Sequence, residues 1–353
     1  MRSAVVNRAI VASAGSRKTQ LIIDGALSDP GRRVLITTYT QENLSQIVRR
    51  ILEVSGIMPE HITVMTWFSF LINQTARPFQ QVLTGEIDFA RSLNFVGRRS
   101  KFVRRDDIRR YYFDRNRDMY RDGVSDFACR VDEASGGAVI RRLETIYDHI
   151  YVDEFQDLDG YDLDFIDRVF ASDFEVTDVG EPRQHTVATN NGSRNKKYRA
   201  AGVISWFRER ESICALEVRA ESWRCNQIIC DWSDWLYPTM PATASRQHVR
   251  TGHDGIFRVA RDHVPDYFAK YRPQVLRDSR VTPTLGLPAI NIGVAKGSTY
   301  DRVLIFPTKP MLKYLMTADL SALRAVDRLY VAVTRAKYSV AFVVERKDAD
   351  YLP

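Results

Sequence analysis

The chain has 353 residues and a net charge of +7. This length is typical of about two domains, and a hydrophobic content of 44% with 27% charged residues is typical of globular proteins. No apolar run approaches the ~20 residues that cross a bilayer, and no signal-peptide pattern begins the sequence, so we expect no membrane partner. The four cysteines form no CxxC pair, which argues against a zinc site and favours a reducing, cytoplasmic location.

The positive charge favours a polyanionic partner such as nucleic acid, because phosphates attract lysine and arginine. A merely basic globular protein would have the same balance, so the charge alone does not decide between the two.

Strands and helices alternate in the first part of the chain. Short apolar strands are predicted at 9–11, 34–38, 62–65 and 149–152, with helices at 18–26 and 44–52 after the first two. Such alternation favours a parallel sheet covered by helices.

A second alternating stretch begins near 212. It contains strands at 213–218, 291–294, 303–306 and 339–344 and helices at 226–236 and 322–334. Residues 75–145 interrupt the first stretch and are rich in arginine and aromatic residues. We therefore predict a first α/β domain at 1–74 and 146–210, a small basic helical insertion at 75–145, and a second α/β domain at 211–353.

A small-residue loop lies between the first strand and the first helix, where a Walker A phosphate loop belongs. Its predicted nucleotide-binding residues are Ala14, Gly15, Ser16, Arg17, Lys18 and Thr19. Lys18 would reach the β- and γ-phosphates of ATP, and Thr19 would bind Mg²⁺. Ala12 and Arg17 replace the two glycines of the strict pattern, so a plain turn is an equally reasonable interpretation of this loop alone.

Two acidic residues directly follow the predicted strand at 149–152. In a Walker B strand one carboxylate binds Mg²⁺ and a second orients the attacking water. Asp153 suits the metal, and Glu154 suits the water. The alternative is a solvated acidic turn.

A series of motifs in fixed order resembles the UvrD/Rep/PcrA class of superfamily 1 DNA helicases. The matching segments are 37–41 (TTYTQ), 66–70 (TWFSF), 153–157 (DEFQD), 179–184 (VGEPRQ), 222–225 (SWRC), 295–301 (AKGSTYD) and 328–336 (RLYVAVTRA). With the phosphate loop, they extend over almost the whole chain.

The resemblance implies an α/β fold of two RecA-like parallel-sheet domains that hydrolyse ATP in the cleft between them and move along single-stranded DNA. It implies that Gln184 senses the γ-phosphate and that Trp223 stacks on adenine. It also implies that Arg224 and Arg335 are arginine fingers, which stabilise phosphoryl charge. Surface salt bridges are the alternative for both arginines.

Nucleic-acid contacts are expected, by the same resemblance, at Thr38, Tyr39, Thr66 and Trp67. Hydroxyls bind phosphates, and aromatic rings stack on bases. Core packing is an equally good interpretation of the two aromatic residues. The arginine run at 98–117 fits either a backbone-binding face or a solvated helix face.

About seventy residues separate Arg224 from Lys296, too few for the family's large accessory subdomain. This compact form is similar to the helicase-like subunit of Gabija-type antiviral defence systems, which implies a nuclease partner. An RNA substrate stays open. Arg17 and Thr299 depart from the family pattern. They favour the alternative of a nucleotide- and nucleic-acid-binding regulatory subunit with little unwinding activity.

Overall fold

The computed structural model describes residues 7–100, 102–185 and 193–351, which fold as a mixed α/β protein with two large sheets. The strands are β1 Asn7–Ala12, β2 Val34–Thr38, β3 Ile62–Thr66, β4 Leu93–Asn94, β5 Met119–Tyr120, β6 His149–Asp153, β7 Glu175–Gly180, β8 Cys214–Arg219, β9 Glu221–Ser222, β10 Ala244–Ser245, β11 Gly255–Ala260, β12 Gln274–Arg277, β13 Ala289–Asn291, β14 Tyr300–Phe306 and β15 Ala336–Val344. The helices are α1 Lys18–Leu27, α2 Gln41–Ser55, α3 Trp67–Phe70, α4 Arg77–Phe79, α5 Gln81–Thr84, α6 Ile108–Tyr112, α7 Val124–Ala134, α8 Ala138–Ile146, α9 Tyr161–Phe170, α10 Val203–Arg208, α11 Gln227–Asp234, α12 Val264–Tyr271, α13 Lys309–Thr317 and α14 Val326–Val333.

The first sheet has six strands in the order β3-β2-β6-β7-β1-β8. Neighbouring strands from β3 to β1 are parallel. The neighbouring inner strands β2 and β6 are buried along their whole length, as expected for a parallel sheet with helices on both faces. One face packs its apolar side chains against α1 and α2, where Ile22, Ile23 and Ile47 are fully buried.

Helix α2 shows how local signals set the ends of these elements. The Thr40 side chain accepts a hydrogen bond from the Asn43 N–H at its start, and Gly56 ends it in the left-handed conformation. Ile47 and Ile51 lie one turn apart and bury the same face.

The second sheet has five strands in the order β11-β15-β14-β12-β13, all paired in parallel. Apolar residues cover it on two sides. One cluster centres on α11 and α14 and includes Ile229 and Leu329, and the other includes Val264 and Tyr267 of α12. The prediction of an α/β fold with two parallel sheets is therefore confirmed.

The chain divides into two compact units. Unit 1 comprises Met1–Val11, Lys18–Pro182 and Val187–Glu217, and unit 2 comprises Ala12–Arg17, Arg183–Thr186 and Val218–Pro353. Strand β8, which the sequence pattern suggested as the start of the second α/β stretch, lies at the edge of the first sheet. An edge position cannot be read from the strand's own residues. The predicted domain boundaries stay predictions.

The insertion predicted at 75–145 has helices α4 and α5 at its start and α7 and α8 at its end. Between them, 85–100 and 102–107 contain no helix, and the short strands β4 and β5 pair in parallel. Across the described residues, no helix combines the length and the apolar character that a membrane span requires.

Candidate functional site

The carboxyl ends of the parallel strands in unit 1 bring several predicted site residues to one edge of the first sheet. Thr38 of β2 is in register with Thr66 of β3, and Asp153 of β6 is in register with Val179 of β7. This edge is where ligands bind in open parallel sheets.

The acidic pair is buried at this edge. Asp153 is 5% exposed and Glu154 is 8% exposed. Glu154 has a φ of 63°, in the left-handed region that non-glycine residues seldom adopt. The Asp153 Oδ1 atom accepts a hydrogen bond of 3.1 Å from the Glu154 N–H. Such a strained residue in a buried acidic turn is typical of functional sites.

Lys18, at the start of α1, forms an ion pair with this turn. Its Nζ atom lies 2.6 Å from Glu154 Oε1, and both side chains are largely shielded from solvent. The structure thus places a predicted phosphate-binding lysine directly on the predicted catalytic carboxylate. Thr19 follows in the first turn of the same helix and is partly buried.

Gln156 connects the acidic turn to the next strand, a role that the sequence did not indicate. Its Nε2 atom donates a hydrogen bond to Glu154 Oε2, and its Oε1 atom accepts one of 2.8 Å from the Glu181 N–H. A Cβ atom at Gly180 would lie 2.5 Å from that Oε1. A glycine therefore ends β7 because a side chain would displace Gln156.

The segment Ala12–Arg17 of the predicted phosphate loop belongs to unit 2 and is hydrogen bonded to other residues of that unit at several backbone groups. The Ser13 N–H donates to the Arg219 carbonyl at 3.1 Å, and the Trp223 N–H donates to the Gly15 carbonyl at 2.9 Å. The Ser222 hydroxyl donates to the Ala14 carbonyl at 2.6 Å. These contacts fix the loop's backbone.

The motifs assigned no role to Arg183, although it lies in the segment 179–184. It is 2% exposed. Its Nη1 atom lies 2.8 Å from Asp234 Oδ1 and 3.3 Å from Thr243 Oγ1, and its Nη2 atom donates to the Ser13 hydroxyl. Arg183 therefore ties the phosphate loop to α11. Next to it, Gln184 ends a 3-10 turn and is 5% exposed.

Arg17 occupies the loop position where the strict pattern has glycine. Its φ of 62° is the left-handed conformation that glycine adopts without strain. Its guanidinium lies 3.9 Å from the centre of the Trp223 ring, a cation–π distance. Trp223, predicted to stack on adenine, is 43% exposed and stacks here on arginine.

The two predicted arginine fingers converge on one residue, Thr334. Arg224 donates to the Thr334 carbonyl at 3.0 Å. Arg335 donates to the Thr334 hydroxyl at 3.4 Å and to the Val331 carbonyl at 3.1 Å. Arg335 is 1% exposed, so the surface salt bridge considered for it does not describe its surroundings.

The residues predicted to contact nucleic acid differ in their surroundings. Thr38 is buried, and Thr66 caps α3 through a hydrogen bond from the Ser69 N–H. Tyr39 is partly buried against Phe68, and burial raises its pKa to about 12. Trp67 is 2% exposed, and its indole N–H donates to Asp162 at 2.7 Å. Core packing thus accounts for the Trp67 ring, and its contact with nucleic acid stays a prediction.

The predicted metal ligands Asp153 and Thr19 offer oxygen atoms, the kind of ligand that Mg²⁺ takes in proteins. Among the residues that the structure describes, no group of three or more His, Cys, Asp or Glu side chains is arranged to hold a metal. Mg²⁺ commonly takes only one or two carboxylates and completes its shell with phosphate and water. A buried strand-end carboxylate at Asp153 and a hydroxyl at Thr19 fit that requirement.

The fold is similar to that of solved structures. The chain aligns with the arterivirus nonstructural protein 10 helicase at a TM-score of 0.50 and 15% identity, covering 96% of this chain and 59% of that one. A complex of that helicase with DNA aligns at a TM-score of 0.50 and 14% identity, covering 96% and 61%. The chain thus spans about three-fifths of the length of these structures. The sequence matches no family model and no curated protein. The chain has a helicase-like fold.

Proposed function

We propose that the chain is an ATP hydrolase that moves along single-stranded nucleic acid, and that this nucleic acid is DNA. The observation that carries this proposal is the ion pair between Lys18 and Glu154 beside Asp153 at the carboxyl edge of the first sheet. The helicase-like fold supports it, and one structure with this fold is a complex with DNA.

The ion pair suggests how nucleotide binding and catalysis are linked. Lys18 is the residue that binds the β- and γ-phosphates of ATP in this proposal. A phosphate that attracts Lys18 takes it away from Glu154, whose carboxylate then accepts a hydrogen bond from the attacking water. Gln156 stays bound to Glu154 and keeps that carboxylate oriented.

The remaining residues of the proposed site bind charge or the base. Thr19 and Asp153 would hold Mg²⁺, which when bound neutralises phosphate charge. Gln184 would contact the γ-phosphate. Arg224 and Arg335 would stabilise charge on the transferred group, because both are forked donors. Both donate hydrogen bonds to Thr334, Arg224 to its carbonyl and Arg335 to its hydroxyl.

A second candidate function is a nucleotide-binding regulatory subunit with little turnover, and Arg17 is the observation that favours it. The arginine covers the Trp223 ring that the first proposal assigns to adenine. If this contact limits the site, Arg17→Gly should raise ATP turnover, whereas Trp223→Ala should not. Unchanged turnover in Arg17→Gly would show that arginine at this position does not limit ATP hydrolysis.

The experiment that tests the proposal is the rate of ATP hydrolysis with no nucleic acid, with single-stranded DNA and with single-stranded RNA. We expect single-stranded DNA to stimulate hydrolysis and Lys18→Ala to abolish it, with Lys347→Ala, an exposed lysine, unchanged as the control. Stimulation by RNA alone would reassign the substrate. Tight ATP binding without stimulated hydrolysis would favour the regulatory subunit.

The UvrD-like assignment and a role beside a nuclease in antiviral defence belong to the same proposal and rest on motif order alone. Co-purification of a nuclease with the tagged chain from its native host would support the defence role. Full activity of the isolated chain would count against it.

A further inference from the structure

A cavity of about 310 Å³ lies in unit 1, where residues of the insertion line it together with Tyr161, Ser193 and Arg194. Its wall includes Arg98, Arg99, Tyr111, Tyr120, Asp122 and Asp126. This volume is at the lower end of the range for small-molecule sites, which suits one nucleotide rather than several. Arginines and tyrosines around one hollow are the side chains that bind phosphate and stack on bases.

The carboxylates of the cavity already have cationic partners. Asp126 accepts hydrogen bonds from the guanidinium of Arg105 and from the Tyr112 hydroxyl at 2.8 Å. Asp122 lies 2.9 Å from Arg121. The negative charge of the wall is therefore neutralised from within the protein, so it does not repel an anionic ligand.

Two arginines supply the cavity's excess positive charge. Arg98 and Arg99 are both exposed, and neither forms an ion pair with a carboxylate among the residues that the structure describes. The Arg99 guanidinium lies 4.0 Å from the centre of the Tyr111 ring. This stacking orients the guanidinium while its N–H groups stay available to a phosphate.

Tyr120 supplies an aromatic ring at the cavity wall. Within the described part of the chain its ring has no aromatic or cationic neighbour in contact, whereas Tyr111 and Tyr161 are each stacked against arginine. Tyr120 is half-buried at the end of β5, whose pairing with β4 fixes its backbone. A base that enters the cavity could stack on this ring without displacing an aromatic or cationic side chain.

Aromatic contacts link the segment just before Arg98 to Tyr39, one of the residues proposed to contact nucleic acid at the sheet edge. Tyr39 contacts Phe68 at 5.7 Å between ring centres, and Phe68 contacts Phe95 at 5.6 Å. Phe95 is 56% exposed and lies three residues before Arg98. Phe68 is buried between its two neighbours, so these contacts pack the segment that precedes Arg98 beside the sheet edge where a strand is proposed to bind.

From these observations we infer that the cavity is a binding site for one nucleotide unit, with its phosphate on Arg98 and Arg99 and its base on Tyr120. The source of that unit is a single strand of nucleic acid rather than a free mononucleotide, because the segment that carries Arg98 and Arg99 packs through Phe95 and Phe68 beside the sheet edge where a strand is proposed to bind. This inference rests on the nucleic-acid part of the proposed function and does not depend on ATP hydrolysis.

The test is the affinity of the whole chain for a fluorescein-labelled single-stranded oligonucleotide, measured by anisotropy without ATP. Arg98→Ala/Arg99→Ala should weaken binding about tenfold, and the slope of log affinity against log salt should fall by about 1.4, the value for two phosphate contacts on a single strand. Tyr120→Ala should also weaken binding about tenfold, and Tyr120→Phe should restore it, because phenylalanine keeps the stacking face.

Arg49→Ala/Arg50→Ala is the matched control, since it removes the same charge from exposed positions on α2. Equal losses in the two double variants would overturn the site, because the effect would then be one of net charge alone. An unchanged affinity in the cavity variants, or a wild-type chain that binds no oligonucleotide, would also overturn it.

A parallel titration with deoxyadenosine monophosphate separates the two sources. Weak mononucleotide binding with strong strand binding supports the inference as stated, and tight mononucleotide binding that Tyr120→Ala removes would overturn the strand as the source. A chain that binds strands through the cavity but hydrolyses no ATP would retain this site and lose the proposed enzyme activity, so the two failures are distinguishable.

Discussion

The Nζ atom of Lys18 lies 2.6 Å from Oε1 of Glu154, and both side chains are mostly buried. Glu154 sits in a left-handed turn directly after β6, while Lys18 begins the helix that follows the phosphate loop. Removing one partner of such a buried charge pair lowers the stability of the fold, because the remaining charge is left without an opposite charge.

The first prediction concerns the coupling within this pair. Lys18→Met and Glu154→Gln should each lower the free energy of unfolding, and the double variant should be more stable than the sum of the two losses implies. We expect a coupling energy of about 1–3 kcal/mol, typical of residues in contact. Urea unfolding of the wild type, the two single variants and the double variant measures this energy.

The control is Glu144→Gln on α8, whose effect on the free energy of unfolding should be additive with that of Lys18→Met. Additivity of Lys18 with Glu154 as well would show that the ion pair is not formed in solution.

The second prediction separates crowding from backbone strain in the phosphate loop. Gly15 and Gly56 both have a φ of 76°. A Cβ atom at Gly15 would lie 2.6 Å from Arg224 Cβ, whereas nothing lies within 4 Å of one at Gly56. Both Gly→Ala variants should lose about 1 kcal/mol of stability from the left-handed backbone. Gly15→Ala should lose a further ~1–3 kcal/mol from the clash. Thermal unfolding compares them, and equal losses would mean that Arg224 does not pack on the loop.

The third prediction concerns Arg183. Because Arg183→Ala would leave the Asp234 carboxylate without its cation, we expect a loss of about 3–5 kcal/mol in the free energy of unfolding. Asp234→Asn in the same chain should recover part of that loss. Arg104→Ala, whose side chain is 87% exposed, should change stability by less than about 0.5 kcal/mol. A similarly small effect of Arg183→Ala would contradict its role as the tie between the loop and α11.

The fourth prediction is a pH dependence that originates at His149. Burial lowers the pKa of this ring from 6.5 to about 3. Glu175 lies 3.5 Å away and would favour the charged ring, but its side chain is 40% exposed, so burial dominates. The unfolded chain takes up a proton below about pH 6.5 that the folded chain does not. Stability should therefore fall as the pH drops from 6.5 toward 3.

The check is the free energy of unfolding across that pH range for wild type and for His149→Gln. The glutamine amide can replace the 2.9 Å hydrogen bond between the His149 ring and the Thr177 hydroxyl. The variant should show a shallower decline, by at most ~1.4 kcal/mol per pH unit. His248→Gln, at an exposed position, should decline as wild type does. Parallel curves for wild type and His149→Gln would indicate that another group causes the decline.

Much of the first sheet could be predicted from sequence because its strands are short, apolar and β-branched. The predicted strand at 34–38 has the observed limits, and the predicted 149–152 is one residue short of the observed β6. Strands β11 and β12 were missed because polar and charged residues such as Arg258 and Arg277 interrupt their apolar pattern. The place of β8 in the first sheet follows from its partner β1, which local sequence does not reveal.

Motif order supplied the predicted residues of the candidate site but not the contacts that hold them. Glu154 and Lys18 were assigned separate roles, and their ion pair emerges only from the fold. Arg183 and Gln156 stand inside the quoted motifs, yet their importance depends on partners far along the chain, Asp234 and Glu181. Trp67 shows the reverse case, since its aromatic ring suited either stacking or core packing and lies in the core.

The steady-state rate of ATP hydrolysis by Glu154→Gln, with saturating single-stranded DNA, tests the central claim most directly. Glutamine keeps the shape of the side chain and removes the carboxylate that would accept a hydrogen bond from the attacking water. We predict DNA-stimulated hydrolysis in the wild type and a fall of about 100-fold or more in kcat in the variant, with Glu144→Gln unchanged. Hydrolysis by Glu154→Gln at the wild-type rate would contradict the assignment of the acidic turn as the site of ATP cleavage.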